Sequence, residues 1–253
     1  VLVFCLLIFT QTTSYALRAC RLYQAIPNLP RGRYLDCLKI ILINNALNLL
    51  LPFRSGEVSF PLLMQRFFAI PLLEGTSTLL WLRVLDAQAL ALVALLFVPM
   101  PAAWKYGLCL PLLALPLLLW AGKAAFQVEK PFKTWRQLCL DQALTWLAWG
   151  VKTLGLTLAL ALLSGLPWQT AGLGVLGAEV SSLLPFNLPA GVGTFEAGAM
   201  ALLALHVPPT TALIKAVVLL HALHLGVAVA LGALAGGSGL LGYVRGDLAR
   251  NRR

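Results

Sequence analysis

Apolar runs such as ALALVALLFV (89–98) and LTLALALLSGL (156–166) recur along almost the whole chain, and they constrain the fold more than any motif does. Of the 253 residues, 60% are hydrophobic and 11% are charged, and mean hydropathy is +0.86. Soluble domains carry about 25% charged residues, so no soluble core absorbs this sequence. The runs are continuous rather than alternating, which excludes the ten-residue strands of a membrane barrel. They fit helical spans, which need about 20 residues each. The expected fold is an all-α polytopic membrane protein.

The net charge of +10 invites a nucleic-acid reading, but the basic residues gather in short segments between apolar runs, as the positive-inside rule describes. Arg18, Arg21, Arg31 and Arg33 follow the first run, Lys123, Lys130, Lys133 and Arg136 fill 121–137, and Arg245, Arg250, Arg252 and Arg253 crowd the tail. All three groups are expected on the cytoplasmic side of a cell inner membrane, with no nucleic-acid partner. Full spans are expected at about 1–16, 73–98, 106–120, 138–164 and 207–236. The chain opens on Val1 rather than Met, and 1–16 reads as the end of a span whose beginning is missing. The five cysteines are isolated and read as apolar filler.

Two stretches do not fit a simple span. NALNLLLPFRSGEVSF (45–60) and EVSSLLPFNLPAGVGTFEAGAM (179–200) each place a proline break, a glycine and a glutamate in apolar sequence. From Asp36 to Leu51 is roughly 24 Å of helix, short of a hydrocarbon core of about 30 Å. The break at Pro52 then turns the chain, and 55–68 returns; 169–186 and 194–206 repeat the design. Each pair reads as a re-entrant helical hairpin, which survives at membrane depth only inside protein or along a wet cavity. Both copies carry LLPF (50–53 and 183–186), then a helix-start signature, Ser55-x-Glu57 or Thr194-x-Glu196, in which a hydroxyl caps and an acid suits the macrodipole. A second break and a long span follow. Three spans separate the copies, so repeat one (about 36–98) and repeat two (about 169–236) are inverted within a single domain covering 1–253. Paired interruptions in inverted repeats point to a transport site.

At these residues the sequence resembles the transmembrane, flippase-like domain of lysylphosphatidylglycerol synthases and its stand-alone relatives. The family's Pro-x-Arg-x-Gly-Glu run is similar to Pro52, Arg54, Gly56 and Glu57. A charged pair on the following span corresponds to Arg83 and Asp86, and a P-x-G-x-G-x-x-E run to Pro189, Gly191, Gly193 and Glu196. The sequence departs from the family where an acidic residue precedes the pair, since Trp81 and Leu82 stand there. The resemblance implies a lipid translocase that moves a phospholipid, or a polyprenyl- or hopanoid-linked lipid, between leaflets. Bifunctional members carry a soluble aminoacyl-transferase domain after the membrane part. This sequence reads as a stand-alone member, and the synthase name is not carried over as an activity.

Ionisable groups in a membrane cost about 2.5–3.5 kcal/mol each on insertion scales and are functional candidates by default. Arg54, Glu57, Arg83, Asp86, Gly191, Gly193 and Glu196 form the expected lipid site, with Lys152, Lys215, His221 and His224 as secondary candidates. Arg54 and Arg83 suit a lipid phosphate because the guanidinium fork donates bidentately. Arg54 and Glu196 are then expected to face one cavity. The competing assignment for each is a structural ion pair. His221 and His224 with Glu196 lack a further ligand for a zinc set, so neither metal nor cofactor is expected. The expected partner is a membrane lipid with an anionic headgroup. A separately encoded lipid-modifying transferase is a second expected partner. Two rival functions are an intramembrane enzyme with Glu57 or Glu196 as base, and a non-catalytic partner of such a transferase.

Overall fold

The computed structural model describes residues 1–26, 29–126, 134–183 and 188–250, with side chains except at 31, 119–126 and 238–250. The side-chain readings of Arg31, Lys123, Lys130, Lys133, the four tail arginines, and Leu184, Pro185 and Phe186 of the second LLPF lie outside the described residues. The chain folds as α1 (Leu2–Ala25), α2 (Tyr34–Leu50), a 3-10 turn (Pro52–Val58), α3 (Ser59–Phe68), α4 (Leu72–Phe97), α5 (Ala102–Phe126), α6 (Trp135–Ser164), α7 (Trp168–Leu183), a 3-10 turn (Pro189–Gly191), α8 (Thr194–Leu203) and α9 (Thr211–Arg250). Among the described residues there is no strand. Helices α1, α4, α6 and α9, the last over Thr211–Gly237, are each long and apolar enough to cross a membrane. The expected fifth span falls in α5, whose apolar stretch Ala102–Leu118 has 17 residues. This is an all-α, multi-pass membrane protein.

Two boundaries differ from expectation. Helix α1 continues to Ala25, so Arg18 and Arg21 lie within it rather than in a loop. They stay helical because a buried carboxylate, Asp86, compensates their charge. Helix α5 runs to Phe126, into the basic segment 121–137. Prolines 111 and 116 sit inside α5. Pro116 has no N–H for the Leu112 carbonyl, and Gln88 of α4 donates to that oxygen at 2.8 Å.

The interrupted stretches are helix–turn–helix units. Ser59 donates to Asn44 at 3.1 Å, so α3 returns beside α2. In the second unit Gly177 of α7 abuts Gly198 of α8 so closely that any Cβ would strike backbone. Small residues let membrane helices approach in this way.

Helices α1 and α6 run antiparallel: Thr10 packs on Gly155, Ser14 donates to the Ala148 carbonyl at 2.8 Å, and Arg21 donates to Thr145 at 2.7 Å. Helix α2 packs on α9, with Ala46 against Gly232, and α4 packs on α7, with Phe97 against Gly172. Exchanging α1–α4 with α6–α9 therefore maps these neighbours onto each other. The relation includes α1 and α6, which the shorter repeat bounds of 36–98 and 169–236 leave out. Two apolar clusters hold the bundle. One joins α1, α6, α7, α8 and α9 around Leu7, Leu160, Val175, Leu203 and Leu220. The other joins α1 to α4 and α9 around Leu22, Ile40, Phe60, Met64 and Leu82.

Candidate functional site

Asp86 is the anchor. It lies midway along α4 and is 1% exposed. Arg21 donates to it at 2.9 Å and Arg18 at 3.4 Å from α1, Arg83 at 3.1 Å from one turn before, and the Trp149 indole at 3.0 Å from α6. One carboxylate thus serves three guanidiniums. Arg83 also pairs with Glu57 at 3.0 Å. Glu57 in turn holds Arg54, whose Nη1 donates to the Ser182 carbonyl at 3.1 Å. That last contact ties the first hairpin turn to the end of α7, across the two repeats. On the far side Lys152 pairs with Glu179 at 2.7 Å. Arg18 and Lys152 both lie over the Trp149 ring, at 5.0 and 5.1 Å.

Arg18, Arg54, Arg83, Trp149, Lys152, Glu179 and Ser182 of this network line a cavity of about 80 Å³. Its lining is ordered by sequence offset. Tyr15 pairs with Trp149, Arg18 with Lys152, Asn45 with Glu179, Asn48 with Ser182, and Leu49 with Leu183, each 134 positions apart; Arg54 and Arg83 complete the wall. Within each pair the chemistry matches or nearly so: aromatic with aromatic, cation with cation, polar with acid, polar with polar, apolar with apolar. The cavity lies between α1, α2 and α4 on one side and α6 and α7 on the other, near the middle of α4 and α6.

Glu196 is not in that wall. Its carboxylate takes the Gly193 N–H at 2.7 Å and His221 Nδ1 at 2.7 Å, and His221 stacks on Phe195 with centroids 4.3 Å apart. His224 is buried one turn on. Arg54 and Glu196 are thus held in separate clusters, contrary to expectation, because Glu196 turns inward on its own helix start and on α9. Lys215 is exposed and stands apart from both clusters. Gly191 and Gly193 have φ of 67° and 84° and form the second turn. Each hydroxyl donates back into its own turn, Ser55 to the Pro52 carbonyl at 2.8 Å and Thr194 to the Gly191 carbonyl at 2.9 Å.

Of the expected residues, the structure brings Arg54, Glu57, Arg83, Asp86 and Lys152 together. Sequence reading missed Tyr15, Arg18, Arg21, Asn45, Trp149 and Glu179. LLPF recurs 133 positions on, one short of the 134 that relates the lining pairs, so the repeated motif alone did not point to them. No family model, curated protein or solved structure matches this chain.

Proposed function

We propose that the chain is a lipid translocase that binds an anionic headgroup phosphate in this cavity and moves it between leaflets. One observation carries the reading. Five cations (Arg18, Arg21, Arg54, Arg83, Lys152) converge on three carboxylates (Glu57, Asp86, Glu179) at the centre of an apolar bundle. Uncompensated charge is costly in such surroundings, and an incoming anion offsets the excess. In a membrane the abundant anion is a lipid phosphate. The space suits a small headgroup but not acyl chains, so the chains stay in the bilayer while the headgroup crosses.

The pairing of lining residues about the repeat interface supports alternating access, in which the repeats exchange conformations around a fixed site. On this reading the chain belongs with the flippase-like family that its Pro52–Glu57 and Pro189–Glu196 stretches resemble, in a cell inner membrane with the basic segments cytoplasmic. Reconstitution into phosphatidylcholine vesicles with a trace of fluorescent, short-chain phosphatidylglycerol tests it. Protein-dependent exchange should be faster for labelled phosphatidylglycerol than for labelled phosphatidylcholine. Equal rates, or none above empty vesicles, sink the proposal.

A further inference from the structure

Asp141 takes no part in the cavity described above, yet it is fully buried on α6, at 0% exposure. No cation pairs with its carboxyl among the described residues, and neither carboxyl oxygen makes a hydrogen bond of close geometry, the Trp81 indole being its side-chain donor. From α1 it is faced by Arg21, and from α4 by the Trp81 indole. Among the described residues Arg21 is the one charged group that bears on it. Its own helix adds Thr145, whose hydroxyl donates to the Asp141 main-chain oxygen at 2.7 Å and accepts from Arg21 Nη1 at 2.7 Å. Arg21 in turn has a buried Nε–H without a partner. A carboxyl with no ion pair and a guanidinium with a spare N–H are therefore linked through Thr145, and the same guanidinium holds Asp86 at 2.9 Å.

We propose that Asp141 is a proton-binding site coupled to the anion cavity through Arg21. In the neutral state Asp141 makes no claim on Arg21, which stays on Asp86, as observed. Loss of the proton to water leaves a buried carboxylate whose nearest cation is Arg21, and the guanidinium turns towards it. Asp86 then keeps the Trp149 indole and, as cations, only Arg18 and Arg83, both cavity-lining groups that it draws inwards. The cluster then holds four carboxylates against five cations, and its hold on a phosphate weakens. Proton and anion thus bind together and leave together, and by linkage each raises the other's affinity. This inference rests on the anionic-headgroup reading above and identifies the co-transported ion.

Two measurements on the full chain in detergent test it. Infrared difference spectra between acidic and alkaline buffer should show a protonated carboxylic carbonyl band in the wild type that is lost in Asp141→Asn. That variant is isosteric with the neutral acid, and the wild-type band needs no variant to be seen. Phosphatidylglycerol binding, read in mixed micelles, should weaken at least about fivefold from about pH 5 to about pH 8, the lower end of ordinary coupling between sites. In Asp141→Asn it should stay tight and flat with pH. A wild-type pH profile in the variant, or a carbonyl band that survives the substitution, overturns the proton site while leaving the lipid reading intact. An Asp141 band with no phosphatidylglycerol binding at any pH overturns the lipid reading and the coupling with it.

Discussion

Arg54 sits in left-handed backbone, with φ of 54°, directly after Phe53 at 55°. Non-glycine residues held there cost about 1–3 kcal/mol each, and the conformation aims the guanidinium at Glu57 and across the repeat interface at Ser182. Arg54→Gln should weaken phosphatidylglycerol binding by the loss of one charge-assisted contact, about 1.5–3 kcal/mol, or roughly tenfold to a hundredfold. Arg54→Lys should restore only part of this, because a point charge does not reproduce the fork. Glu179→Gln should act in the opposite direction: it frees Lys152 from its 2.7 Å partner and raises the positive excess, so anion affinity should rise. Titration of the purified variants with phosphatidylglycerol in mixed micelles reads both effects. Weaker binding in Glu179→Gln would show that the Lys152–Glu179 pair merely props the wall.

At the scale of elements, the two hairpin turns use glycine for different reasons. A Cβ on Gly56 would overlap the backbone of Leu47 and Asn48, so the first turn closes on α2 only without a side chain. Gly193 has open space around it, its nearest neighbour being Leu188 at 3.8 Å, but its φ of 84° disfavours other residues. The geometry makes Gly56 a packing residue. Gly56→Val should therefore lose folded protein together with activity. Gly193→Ala should cost about 1–3 kcal/mol, the ordinary penalty of a sparsely populated backbone region, and leave the bundle assembled. Thermal unfolding followed by size-exclusion recovery distinguishes the two. Equal recovery of both variants would contradict the close approach at Gly56.

At the scale of the molecule, α1 packs antiparallel on α6, α2 packs on α9 and α4 on α7, the neighbour pattern expected of two inverted units. The loop at 165–167 and the segment at 29–30 should then lie on opposite faces, the first outside and the second cytoplasmic. Single cysteines at Pro167 and Pro30, probed in intact cells with an impermeant maleimide, should label only at the first position. Labelling of both from outside would break the inverted arrangement. The same relation sets ten of the cavity's lining residues in pairs 134 positions apart.

The sequence alone determined what local hydropathy and chain breaks encode. The spans at 73–98 and 138–164 closely match α4 and α6, and Pro52 and Pro189 open the two turns, because a proline lacks the N–H that would continue a helix. Arg54, Glu57, Arg83 and Asp86 were legible for the same reason, since a charge inside an apolar run is conspicuous without any partner. Tertiary structure alone decided who their partners are. Arg18 and Arg21 read as loop residues because nothing near them in sequence compensates their charge; Asp86, more than 60 positions on, does so. Glu196 read as a mate of Arg54, but docking against α9 gives it to His221. Tyr15, Asn45, Trp149 and Glu179 look like ordinary span residues until the two repeats meet. They line one cavity, and that cavity exists only once the helices have packed.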